Sequence, residues 1–207
     1  MSRILAVLIA ALAFGVLIAN AAGVAPVRPG LFGALLMVIA ALAVRRRWGL
    51  LADAAPGSPE RALWVGLFGN AIVAAHLAAT LWHIGPRMLM HTPQIHALGI
   101  DNWTLVAGMA VSYWIARDPQ PRSDERDQVI ANTGMRAAYY GLLGMLVVQI
   151  LALGFVREGW VADLSHPSIA HGLILAIIGS ILIDAITRLR AYADDADAES
   201  DAADKAA

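Results

Sequence analysis

Ser123-Asp124-Glu125-Arg126-Asp127 is a short charged cluster with long apolar stretches on both sides of it. Charge at that density is too costly for the hydrocarbon of a bilayer, whereas the flanking stretches are long enough to cross it. The cluster therefore marks a membrane surface. After it the chain turns amphipathic through Ile130, Gly134, Arg136, Ala138, Tyr139 and Tyr140, and then purely apolar.

The whole composition agrees with this reading. The chain has 207 residues, of which 59% are hydrophobic and 15% charged, and its mean hydropathy is +0.64. A soluble domain carries about a quarter charged residues. Inside a bilayer every backbone polar group needs an internal partner, which leaves helices or a closed barrel. The apolar runs are continuous in Leu, Ala, Ile, Val and Gly without alternation, so helices are expected. No cysteine is present, which excludes disulfides and thiolate chemistry. No basic patch with interleaved aromatics points to nucleic acid.

The expected fold is all-α: a polytopic bundle, residues 1–192, of six transmembrane helices arranged as three antiparallel hairpins. The spans fall at about 4–22, 31–45, 62–83, 103–117, 133–156 and 167–188, with prolines after Arg117 stopping the fourth. Residues 193–207 form an acidic, alanine-rich tail expected to be disordered and cytoplasmic. The first run has two readings, an uncleaved helix or a signal peptide with Ala19-Asn20-Ala21 as its small-residue cleavage pattern. Of the fifteen Lys and Arg residues only Arg28, Arg87 and Arg157 fall on one side, leaving twelve on the other. By the positive-inside rule both termini and the charged cluster face the cytoplasm of a bacterial or archaeal cell membrane, and the His/Met-rich loop 83–102 faces out. Trp48, Trp82, Trp103, Trp114 and Trp160 lie near span ends, where amphipathic rings prefer to sit.

An internal echo is visible. Ser58-Pro59-Glu60-Arg61 opens the third helix much as Ser123-Asp124-Glu125-Arg126 opens the fifth, and Gly69 matches Gly134 at the same offset. Asp124 and Glu125 suit the positive end of a helix dipole, Ser123 suits a cap, and Arg126 and Asp127 can pair locally. The same four residues, Asp124, Glu125, Arg126 and Asp127, also suit a docking surface for a cytoplasmic partner.

Asp124, Glu125, Arg126, Asp127, Ile130, Gly134, Arg136, Ala138 and Tyr139, with Arg188, Leu189 and Tyr192 further on, form a pattern. Over residues 123–192 it resembles a group of small bacterial and archaeal predicted membrane proteins of uncharacterised function. The resemblance implies a helix pair following an Asp-Glu-Arg-Asp/Glu segment and implies no activity. Those relatives have four helices, and this chain departs from them by two.

Polar side chains inside the spans are functional candidates. His76 and His83 are seven residues apart and share a face with Gly69, which suggests a helix–helix seam or a ligand-lined face. Their separation is roughly 10 Å along the helix, too far for one metal ion. A metal site would draw on His91, His96, His166 or His171 as well, and a bis-histidine haem would pair His76 or His83 with His171. Met88 and Met90 beside His91 would suit copper or face lipid. Asn70 and Gln149 suit interhelical hydrogen bonds, and Asp184 suits an i,i+4 pair with Arg188. Gly66, Gly69, Gly141, Gly144, Gly172 and Gly179 offer close helix contacts. No nucleophile–base pair, phosphate loop or carboxylate pair is apparent.

The leading expectation is a non-enzymatic membrane protein without a cofactor: an accessory, sensory or assembly subunit. Its partners would be the lipid bilayer, a membrane or cytoplasmic protein, or a second copy. The alternative is a metal (copper or zinc) or haem protein, or a small-solute transporter, built on the outer histidines.

Overall fold

The computed structural model describes residues 1–21, 28–50, 58–89, 92–117 and 124–206. These form six helices: α1 (Ser2–Asn20), α2 (Pro29–Leu50), α3 (Ser58–Ile84), α4 (Pro93–Ala116), α5 (Glu125–Phe155) and α6 (His166–Ala206). No strand occurs among the described residues. Five helices are long and apolar enough to cross a membrane: α1, α2, α3, α5 and the part of α6 up to Ala196. The one left out, α4, carries Asp101 and Asn102 near its middle.

Three boundaries differ from the sequence expectation. α4 starts ten residues early, inside the stretch read as an outer loop, because Thr92 accepts a hydrogen bond from the Ile95 amide (3.4 Å) and Pro93 occupies the first turn. α5 begins at Glu125 because Asp124 and Asp127 form a capping box; Asp124 is the cap, and Ser123 lies outside the described residues. The acidic tail is helical, not disordered: α6 continues through it to Ala206. Alanine is the best helix former, and Arg190 with Asp194 (3.6 Å) and Arg126 with Asp195 (2.9 Å) support the turns just past Tyr192.

The packing departs further from three hairpins. α1 runs alongside α3 in the same direction, with Ile4 against Leu67 near their starts and Gly15 against Ile72 and Ala75 further on. α2 likewise runs parallel to α4: the Gly30 amide donates to Asp101 Oδ1 (3.2 Å), and Arg45 Nη1 reaches the Ile115 carbonyl (3.1 Å). α1 and α2 touch each other only sparingly, whereas α3–α4 and α5–α6 do pack as antiparallel neighbours. Small residues decide this. A Cβ on Gly15 would lie 2.5 Å from the Ile72 carbonyl oxygen, and one on Gly108 would lie 2.5 Å from the Ala34 Cβ. Close backbone approach of this kind is what joins helices where lipid is as apolar as leucine.

α3 is the hub, in contact with α1, α4 and α6, and 56% of its apolar window is buried. Leu67, Ala71, Ile72 and Val73 of α3 join Ala11, Ile18, Met37, Leu105 and Ile178 in the core. Among the described residues α5 packs chiefly on α6, and its apolar window has no buried residue.

Candidate functional site

Three places gather polar or unfilled features. The first is the end of the bundle that carries the charged cluster. Asp124 Oδ1 accepts from the Asp127 amide (2.8 Å), and Asp127 Oδ2 accepts from the Asp124 amide (3.2 Å). The other Asp127 oxygen accepts from the Tyr192 hydroxyl (2.5 Å), and Arg126 Nε donates to Asp195 (2.9 Å). The cluster is therefore spent largely on tying the start of α5 to the far end of α6, and Glu125 remains exposed. One helical step inward, Asp184 holds Arg188 at 2.8 Å, the i,i+4 pair expected. That pair lies against Gly134, where a Cβ would be 2.5 Å from Asp184 Oδ1. The glycine makes room for the ion pair.

The second place is the seam between α3 and α4. His76 is 2% exposed, and its Nδ1 is 3.0 Å from Asn102 Oδ1. Seven residues earlier on α3, Gly69 faces Met109, which lies seven residues later on α4. The Gly69–His76 stripe is thus a helix–helix seam. Asn102 reaches His76 while the adjacent Asp101 takes the Gly30 amide at the start of α2. Two consecutive polar residues in α4 so fasten α2 and α3 together. Sequence reading passed over both, because it had placed them in or beside a loop.

The other described histidines do not join His76. His83 is exposed, and its Nδ1 pairs with the Ala79 carbonyl of its own helix (2.6 Å). His171 Nδ1 does the same with the Pro167 carbonyl (2.7 Å). His96 and His166 are exposed, and His91 and Met90 lie outside the described residues. Among the described residues no group of three His, Asp or Glu side chains could hold a metal ion. Met88 is buried, 2% exposed, and packs with Leu77 and Leu98. Of the polar pair expected to bond between helices, Gln149 does so, donating to the Gly172 carbonyl (3.0 Å). Asn70 instead donates to Gly66 of its own helix (2.8 Å).

The third place lies at the opposite end from the charged cluster. A cavity of about 260 Å³ sits between α3, α5 and α6. Its floor is Ser168, Ile169, Gly172 and Leu175 of α6, and its walls include Ala78 and Leu81 of α3 with Gln149 and Ala152 of α5. Trp82 and Trp160 stack across its end, with ring centroids 6.2 Å apart. The segments carrying them are pinned together. The Pro86 carbonyl accepts from the Ser165 amide (3.0 Å) and from the Ser168 hydroxyl (2.8 Å), and Arg87 Nη2 reaches Asp163 (2.7 Å). This hydrogen bond and the nearby carboxylate raise the Arg87 pKa above its ordinary value. The sequence places Trp160 near a span end and assigns Asp163 no role. Their pairing with Trp82 and Arg87 joins residues 76 or more positions apart, which no local pattern encodes.

No family model matches the chain, and no curated protein and no solved structure matches it either.

Proposed function

We propose that this chain is a non-enzymatic protein of the bacterial or archaeal inner membrane that works through contacts, as an accessory, sensory or assembly subunit. In this reading six helices span the bilayer, both termini are cytoplasmic, and the residues between α3 and α4 face out, following the distribution of arginines. The likeness of residues 123–192 to small uncharacterised membrane proteins belongs to the same proposal.

The observation that supports it is the asymmetry of α5. The remaining helices close a core around α3, and among the described residues α5 is attached to it chiefly through α6. Its large apolar side chains, including Tyr140, Val148, Ile150 and Phe155, are exposed. Lipid covers part of such a surface; a partner helix, from another protein or a second copy, covers the rest. Below it the capping box and Tyr192 hold the α5 start beside the acidic end of α6, and the docking surface is this composite with Glu125 at its edge.

Affinity purification of the full-length protein from gently solubilised membranes tests the reading. A protein recovered in fixed ratio from wild type and reduced with Glu125→Lys is the expected outcome. Recovery of the chain alone and monomeric, with Glu125→Lys indistinguishable from wild type, overturns it.

A further inference from the structure

The cavity under the Trp82–Trp160 pair has features that a packing defect lacks. Protein interiors are filled to the density of organic crystals, yet here the lining is built from small residues. Ala78, Ala152 and Gly172 face the space, and a Cβ added at Gly172 would meet only Gln149 Oε1, at 4.0 Å. The void is therefore a property of the residues chosen. Its shape also has direction. Among the described residues α3 and α5 each pack on α6 and hardly on one another, and the cavity lies in the cleft left between them. At one end of the cleft stand the stacked tryptophans, the Pro86 hydrogen bonds and the Arg87–Asp163 pair.

An apolar cleft between helices that lies within a membrane is filled from the lipid phase, since apolar cavities stay dry. Charge at the rim identifies the occupant further. Arg87, next to Pro86 at that end, has a side chain 77% exposed with one nitrogen on Asp163. A guanidinium has five donors, and the exposed side chain keeps donors beyond the one on Asp163 for a phosphate. Tryptophans prefer the interfacial region. We infer that this cleft is a binding site for an anionic phospholipid, with one acyl chain between α3, α5 and α6 and its phosphate at Arg87.

The inference rests on the membrane reading above and goes beyond it. The test is native mass spectrometry of the full-length protein, released from detergent after exposure to vesicles of phosphatidylglycerol or of phosphatidylcholine. Wild type is expected to retain one phosphatidylglycerol per chain and several-fold less phosphatidylcholine. Gly172→Leu, which grows into open space, should lower the retained fraction about tenfold while the thermal midpoint holds or rises. Arg87→Gln should abolish the preference between the two lipids while keeping the chain bound. Equal retention by wild type and Gly172→Leu overturns the site, as does an absence of retained lipid in wild type. If Gly172→Leu does not fold, Ala152→Leu fills the same space from α5 and is read in the same way. Alkaline carbonate extraction of the membranes separates the two levels: protein that stays in the pellet yet holds no lipid removes the site alone, and protein that washes off removes the membrane reading with it.

Discussion

α3 and α5 open with similar sequences, Ser58-Pro59-Glu60-Arg61 and Ser123-Asp124-Glu125-Arg126, and their apolar windows have mean hydropathies of 1.6 and 1.8. One is the hub of the molecule and the other lies at its edge. More than half of the α3 window is buried, and none of the α5 window is. Hydropathy measures only whether a helix tolerates hydrocarbon. Which helix becomes central depends on where backbones can approach. On α3 the close contacts come from three sides, through Gly15 of α1, Met109 of α4 and the α6 residues Ala185 and Leu189. On α5 the close contacts of Gly134 and Gly141 are both with α6, while Gly144 and Gly154 meet nothing within 4 Å.

The largest expected effect follows from that contrast. Gly15→Leu forces a side chain into the Ile72 backbone of α3 and should cost at least about 1–3 kcal/mol, typical of overpacking, read as a lower thermal midpoint in detergent. Gly144→Leu on α5 should leave the midpoint unchanged. Similar losses at both positions would mean that α5 is packed in solution on a face that is open here.

Next in size is the α3–α4 seam. Asn102→Ala removes the partner of a buried histidine and is expected to cost about 0.6–1.7 kcal/mol, the range measured for hydrogen bonds between membrane helices. His76→Leu combined with Asn102→Leu should recover part of this loss. Additive losses in a double-mutant cycle would show that the two side chains do not interact.

Smaller still is the tie between α5 and α6. Tyr192→Phe deletes the hydroxyl that reaches Asp127 and should cost about 0.5–1.5 kcal/mol, with faster amide exchange confined to the first turns of α5. Exchange that rises equally in α3 would contradict the peripheral attachment of α5. The smallest effect belongs to Arg87→Gln, an exposed partner of Asp163, whose thermal midpoint should match wild type.

The sequence carried the helices better than their neighbours. Long apolar runs and the acidic cap before α5 are local signals, and they marked the five helices that are long and apolar enough to cross a membrane. The same signals misjudged α4, where Asp101 and Asn102 looked like loop and are instead the fasteners of α2 and α3. The Gly69–His76 seam was legible because a seven-residue spacing on one helix predicts a shared face. The parallel pairing of α1 with α3 was not, since it depends on Gly15 meeting residues some sixty positions away. For the same reason the histidines were visible as a set and their dispersal was not, and the cavity was not legible at all.

The central claim is that α5 presents a face made for something other than this chain. A photo-crosslinking residue placed at Val148 of α5 and, separately, at Ile9 of α1 tests it in native membranes, because the two are 66% and 64% exposed. The account expects a protein adduct of one discrete mass from Val148 and only lipid adducts from Ile9. Lipid adducts alone from both positions would contradict it.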